Sequence, residues 1–290
     1  MSLLNLKEYC KDDIMSLLDL AFEFKKGKQV DYLQKRVICN LFFEPSTRTH
    51  YSFEMAAIRL GCKTINFNPD TSSICKNETM YDTVRFFESI EPDLLVIRDR
   101  SDNYYTQFKN MKIPIVNGGD GKLSHPTQSL LDLMTIYENF NKISNLKILI
   151  IGDIKHSRVA HTNIEILKKL GNEVFLSSPK EFQQSDLFFV DIDDVIEKMD
   201  VVMVLRVQFE RHEDLSFNPK NFLEEFGLSD ARVKKLKSDA IIMHPAPFNE
   251  GVEISRGAIE CDKSKIFEQM KNGLYLRMAV LHSELQKSIT

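Results

Sequence analysis

Short apolar runs alternate with helical periodicities along this chain. Runs at 37–42, 64–67, 94–97 and 113–116 are rich in Val, Ile and Leu and have the length of buried strands. Before and between them, apolar residues recur at three- and four-residue intervals over 14–24, 49–60 and 79–90, the spacing of one helix face. A second series follows Asn145, with strands predicted at 146–151, 173–176, 187–190, 201–205 and 240–243 and helices at 159–170, 192–199 and 230–236. Such alternation predicts an α/β fold of two similar domains, each a parallel sheet flanked by helices. A helical segment at 127–140, followed by polar Asn141-Lys142, joins the two series, and a last helix is expected over 273–287. Ligands of open α/β sheets gather beyond the C-terminal strand ends, so the active site is expected in the interdomain cleft.

Length and charge narrow the function classes. A chain of 290 residues suits two cores better than one. Lys and Arg total 38 against 42 Asp and Glu, a net charge of −4, so no broad basic field recommends nucleic acid or an anionic membrane as a partner. The five cysteines are scattered without metal-type spacing and read as reduced thiols. No basic-then-apolar leader and no apolar run near about 20 residues is present, which predicts a cytoplasmic protein. The single Gly152 after a strand, without a G-x-G-x-x-G pattern, disfavours a dinucleotide; no cofactor and no metal is expected.

The chemistry is concentrated where predicted strands end. Ser46-Thr47-Arg48-Thr49 lies between a strand and a helix and places three hydroxyls and a guanidinium at a helix N-terminus, where backbone N–H groups favour a phosphate. Capping by Ser46 or Thr47 is the plainer alternative. Arg98 follows a strand and either faces a ligand or pairs with Asp99 or Asp102. His125 and Gln128 share one face of the helix that Pro126 opens, after the glycine-rich stretch Gly118 to Gly121. The polar stretch 70–78 contains Ser72 and Lys76. In the second series Arg158 opens a helix, Arg206 and Gln208 alternate with Val207 and so face the same way, and His244-Pro245-Ala246-Pro247 predicts an extended, rigid turn with exposed carbonyls, a stiff connector being the plainer alternative.

Ser46-Thr47-Arg48-Thr49, His125-Pro126-Thr127-Gln128, Arg206-Val207-Gln208 and His244-Pro245-Ala246-Pro247 together resemble the aspartate and ornithine carbamoyltransferase superfamily nearly end to end. Pro245 stands where ornithine-using members carry a cysteine, and favours the aspartate-using branch. The resemblance implies transfer of a carbamoyl group from carbamoyl phosphate to L-aspartate, in de novo pyrimidine biosynthesis. It implies Arg48, Thr49, Lys76, Arg98 and His125 as catalytic residues. Ser46, Thr47, Arg48, Thr49, Ser72, Arg98, His125, Gln128, Pro245 and Ala246 would bind carbamoyl phosphate, and Lys76, Arg158, Arg206 and Gln208 aspartate. It further implies a carbamoyl-phosphate domain over 1–137 plus 274–290, an aspartate domain over 138–273, and a homotrimer in which Ser72 and Lys76 enter the neighbour's site. A regulatory chain is left open. Asp99 replaces the usual histidine, Asn77 replaces a glycine, and Phe248 and Glu250 also depart from the pattern. A relative acting on ornithine, putrescine or an acylated ornithine, and a non-catalytic phosphate-binding homologue, are the alternatives.

Overall fold

The computed structural model describes residues 2–31, 33–208 and 221–287. The chain divides into two compact units, Met1–Leu131 with Asn272–Thr290, and Asp132–Lys271.

In the first unit, helix α1 (Lys11–Lys25) precedes strand β1 (Val37–Phe42), helix α2 (Thr47–Arg59), strand β2 (Lys63–Phe67), helix α3 (Met80–Ser89), strand β3 (Leu94–Asp99) and strand β4 (Ile115–Asp120). The four strands are parallel in the order β2-β1-β3-β4. Helix α4 (Pro126–Phe140) leads into the second unit. There the chain runs through strand β5 (Lys147–Ile151), helix α5 (Arg158–Lys169), strand β6 (Glu173–Ser177), helix α6 (Ile192–Val195) and strand β7 (Val201–Val204). Short helices α7 (Phe222–Glu225) and α8 (Asp230–Lys235) precede strand β8 (Ile241–Met243), followed by α9 (Arg256–Glu260) and the long α10 (Ile266–Lys287). This second sheet is parallel too, in the order β6-β5-β7-β8. Both units therefore repeat one topology: the second strand lies on one side of the first, and the third and fourth on the other.

Each sheet is buried by its own apolar residues. Cys39, Leu41, Leu95 and Ile97 pack with Val84 and Phe87 of α3 in the first unit. Leu149, Ile151, Val202, Val204 and Ile242 pack with Ile192, Ile196, Ile259 and Ile266 in the second. The central strands read as nearly continuous apolar runs because both faces are covered. After α10 enters the first unit, the Arg277 guanidinium lies 5.1 Å from the centre of the Phe53 ring.

Two predicted strands are corrected. The run 187–190 joins no sheet; only the Val190 amide reaches across, donating to the Leu176 carbonyl at 2.9 Å, and Phe188 is 83 % exposed. Apolar content suggested a strand, yet its pairing partner, the outer edge of β6, accepts a single bond. The run predicted at 113–116 begins later and ends later, at Ile115–Asp120. Pro114 has no N–H to give, and only its carbonyl is used, by Leu95 N at 3.0 Å.

Candidate active site

The order of each sheet reverses between its first and third strands, and such a switch point opens a crevice at the C-terminal strand ends. In the first unit β1 delivers Glu44 to Thr49 there, β3 delivers Arg98, and the segment after β4 delivers His125. Ser46 stands at the N-cap of α2 with extended backbone, and its hydroxyl makes no capping bond. The capping alternative thus fails for Ser46. No acidic residue occupies the first turn of α2, so the positive end of the helix is uncompensated by its own sequence.

Thr49 is buried in the first turn of α2, and two polar side chains converge on its hydroxyl. Arg98 Nη1 donates to Thr49 Oγ1 at 3.3 Å, and His125 Nε2 lies 3.4 Å from the same oxygen. Arg98 also donates through Nε to Glu44 Oε1 at 2.7 Å and through Nη1 to the Gly118 carbonyl at 3.4 Å. Neither Asp99 nor Asp102 is its partner: Asp99 accepts from the Ser101 amide and Asp102 from the Lys122 amide. The β3–β4 register shifts between Ile97 and Asp99, and an irregularity of that kind re-aims the intervening side chain. A Cβ on Gly118 would lie 3.2 Å from the Ile97 carbonyl and 3.3 Å from Arg98 Cβ, so a glycine there lets β4 approach the arginine closely. Beneath it the Tyr104 hydroxyl donates to the Ile97 carbonyl at 2.6 Å; burial pushes that phenol well above its ordinary pKa and keeps it a donor.

Ser72 and Lys76 lie apart from this group, with no hydrogen bond to it among the described residues. Ser72 Oγ donates to the Pro69 carbonyl at 2.8 Å and accepts from the Ile74 amide at 3.2 Å, which caps a short 3-10 turn over Ser73–Lys76. Asn77 ends that turn in the left-handed region at φ 66°, so asparagine supplies the bend in place of glycine. Lys76 is exposed and makes no ion pair among the described residues. Cys75 beside it is exposed as well, whereas burial pushes the Cys39 and Cys62 thiols up to about 11.

In the second unit, Ser157 Oγ caps α5 by accepting from the Ala160 amide at 3.2 Å, which fixes Arg158 as the first residue of that helix, largely buried. A Cβ on Gly152 would meet the Leu205 carbonyl at 2.3 Å, so glycine is required where the ends of β5 and β7 converge. Beyond β7, Val207 is buried while Arg206 and Gln208 on either side are half-buried. Gln208 Nε2 donates to the His156 carbonyl at 3.2 Å, and the His156 ring lies 3.0 Å from the buried Asp153 carboxylate. The connector after β8 turns at Ala246, which adopts φ 52° and donates its amide to His244 Nδ1 at 2.9 Å. Phe248 packs on the main core of this unit, and Glu250 pairs with Arg256 on the surface, so both departures have local partners. Glu44, Tyr104 and Asp153 carry no motif, and sequence reading passed over their part here; Gly118 was marked only as part of a glycine-rich stretch. No group of three or more His, Cys, Asp or Glu that could hold a metal occurs among the described residues.

Residues 1–138 match the aspartate/ornithine carbamoyltransferase carbamoyl-phosphate-binding domain, and residues 144–283 match the Asp/Orn binding domain of the same family. The aspartate carbamoyltransferase catalytic subunit of Staphylococcus epidermidis is 50% identical over 290 residues, covering 98% of this chain and 99% of the relative. That of Staphylococcus carnosus is 48% identical over 96% of this chain and 93% of the relative. Among solved structures, aspartate transcarbamoylase from Trypanosoma cruzi with N-(phosphonacetyl)-L-aspartic acid superposes with a TM-score of 0.88 at 32% identity, covering 97% of this chain and 95% of that one. The M. jannaschii catalytic subunit gives a TM-score of 0.85 at 30% identity, covering 99% and 98%.

Proposed function

We propose, from the premise that this chain belongs to the aspartate/ornithine carbamoyltransferase family, that its first unit holds carbamoyl phosphate and its second unit holds aspartate. The chain transfers the carbamoyl group of carbamoyl phosphate to the α-amine of L-aspartate, giving N-carbamoyl-L-aspartate and phosphate. We assign the reaction to de novo pyrimidine biosynthesis. The observation that carries the division of roles is the convergence of Arg98 and His125 on the buried Thr49 hydroxyl.

In our reading Ser46, Thr47, Arg48 and the N-terminal amides of α2 take the phosphate, joined by Ser72. Thr49, Arg98 and His125 surround the carbamoyl oxygen, with Gln128 beside His125, and the carbonyls of Pro245 and Ala246 accept from the carbamoyl and amino nitrogens. Arg158, Arg206, Gln208 and Lys76 hold the two carboxylates. The five cations Arg48, Lys76, Arg98, Arg158 and Arg206 suit two anionic substrates, whose desolvation without partners costs several kcal/mol each. An ornithine site would require acidic groups where Arg158 and Arg206 stand.

The neutral α-amine attacks the carbamoyl carbon. A tetrahedral oxyanion forms, the bond to the phosphate oxygen breaks, and the amine proton leaves with the phosphate. Each well-aimed donor to the oxyanion contributes about 3 kcal/mol to the rate. Before substrate arrives, Glu44 neutralises Arg98; an incoming dianion competes with that carboxylate for the guanidinium. Phosphate release from carbamoyl phosphate is expected with aspartate and not with ornithine or putrescine. Release that depends on either of those amines instead would overturn the choice of acceptor.

We further assign a homotrimer with shared sites. The names of the relatives, catalytic subunits, imply an assembly. Two features favour self-association through the first unit. Lys76 is exposed with no ion-pair partner among the described residues, and Tyr51, Met55 and Ile58 form an apolar stripe on α2 that is 46–62 % exposed. A ring of three gives each loop 70–78 a neighbour to enter. Mixing inactive Lys76→Ala chains with inactive Arg98→Ala chains after dissociation is expected to restore activity, since some sites then receive both native residues. Mixtures that stay inactive at every ratio would confine the loop to its own subunit. No helix among the described residues is long and apolar enough to cross a membrane, and the free cysteines suit the reducing cytoplasm in which we place the protein.

A further inference from the structure

The peptide of Val207, between Arg206 and Gln208, is gripped by side chains more than forty residues further along the chain. Asn249 Nδ2 donates to the Val207 carbonyl at 2.9 Å, and the Val207 amide donates to Glu253 Oε2 at 3.3 Å. The two gripping residues are themselves joined: Asn249 Nδ2 also donates to Glu253 Oε2 at 3.2 Å, and the Asn249 amide donates to Glu253 Oε1. Glu253 is fully buried, so its carboxylate is held by these N–H groups and by its approach to His244 Nε2, 3.5 Å away. The Val207 side chain is anchored on the other side, packed with Phe182 and Phe222, and Val252 packs on the same cluster.

Val207 is thereby fixed through its amide, its carbonyl and its side chain. Residues on either side of a peptide held in this way have little freedom to turn, so Arg206 and Gln208 leave the backbone in set directions. His244 begins the connector 244–247, and Asn249 follows it by two residues, so the same carboxylate ties that connector to the 206–208 segment. We propose that Asn249 and Glu253 are positioning residues for the amino-acid substrate, which aim Arg206 and Gln208 and hold them in register with the connector. The inference rests on the reading of Arg206 and Gln208 as aspartate ligands, and it adds two residues that touch no substrate.

Asn249→Ala removes the donor to the Val207 carbonyl, and Glu253→Gln replaces one of the two acceptor oxygens with a donor. Each is expected to raise KM for aspartate about tenfold while KM for carbamoyl phosphate stays within about twofold of the parent. Calorimetry with succinate, an unreactive dicarboxylate, is expected to show the same weakening when carbamoyl phosphate is present. Thermal melting reports the fold of each variant. An unchanged KM for aspartate in folded variants overturns the proposal, and so does an equal rise of both KM values, which makes the pair general scaffolding. Loss of the fold in both variants likewise assigns them to the core alone. The parent protein separates the two levels: if it releases no phosphate with aspartate, the assigned reaction fails, whereas an active parent with unaltered variants sinks only this inference.

Discussion

Replacing Arg48 by alanine lowers kcat by about two orders of magnitude or more and leaves the melting temperature near that of the parent. Arg48 is exposed in the first turn of α2, so truncating its side chain opens no cavity in the core. A cation at a helix N-terminus is mildly unfavourable, and its removal relieves the helix. What disappears is a charge-assisted fork to a phosphate whose charge changes as it departs. An interaction of that kind is worth about 3 kcal/mol in a site from which water is excluded, which corresponds to about a hundredfold in rate. Steady-state kinetics beside a thermal melt checks both halves. A folded variant with near-normal kcat would remove Arg48 from the reaction.

Arg206→Ala is expected to act on the other substrate. KM for aspartate rises about thirtyfold to a hundredfold, because a carboxylate loses a bidentate guanidinium, while carbamoyl phosphate binds as in the parent. The backbone beside Arg206 is held through Val207, so truncating the side chain leaves the segment 206–208 in place. Calorimetry with carbamoyl phosphate alone separates the outcomes: a large loss of its affinity would move Arg206 to the phosphate side. The effect is larger than that expected for Asn249→Ala, since one variant removes a ligand and the other only loosens its aim.

Most of the fold was legible because its strands are covered on both faces. A buried parallel strand is a short apolar run with helix on either side, and β1, β3, β5 and β7 all show it. The 187–190 run shows the limit of that signal. Its composition is strand-like, and only the neighbouring edge decides whether N–H and C=O groups find partners. The prolines at 245 and 247 mark a rigid turn, but its geometry was hidden: the His244 ring accepts from the Ala246 amide, and Ala246 takes a positive φ.

The candidate site divides in the same way. Ser46 to Thr49, Arg98, His125, Arg158, Arg206 and Gln208 could be read from the chain because each stands where a strand ends or a helix begins, and local sequence marks those places. Sequence by itself thus determined the element order, the strand-end positions of the charged groups and the kind of anions they suit. The partner of Arg98 was decided only by tertiary structure: Asp99 and Asp102 are its neighbours in sequence, yet Glu44, on the adjacent strand end, holds it at 2.7 Å. The same is true of Glu253 and Asn249, which lie far along the chain from the Val207 peptide they grip. Ion pairs and hydrogen bonds form over about 3 Å of space whatever the separation in sequence. Pairing across strand ends and loops therefore becomes visible only when the sheet order has brought those ends together.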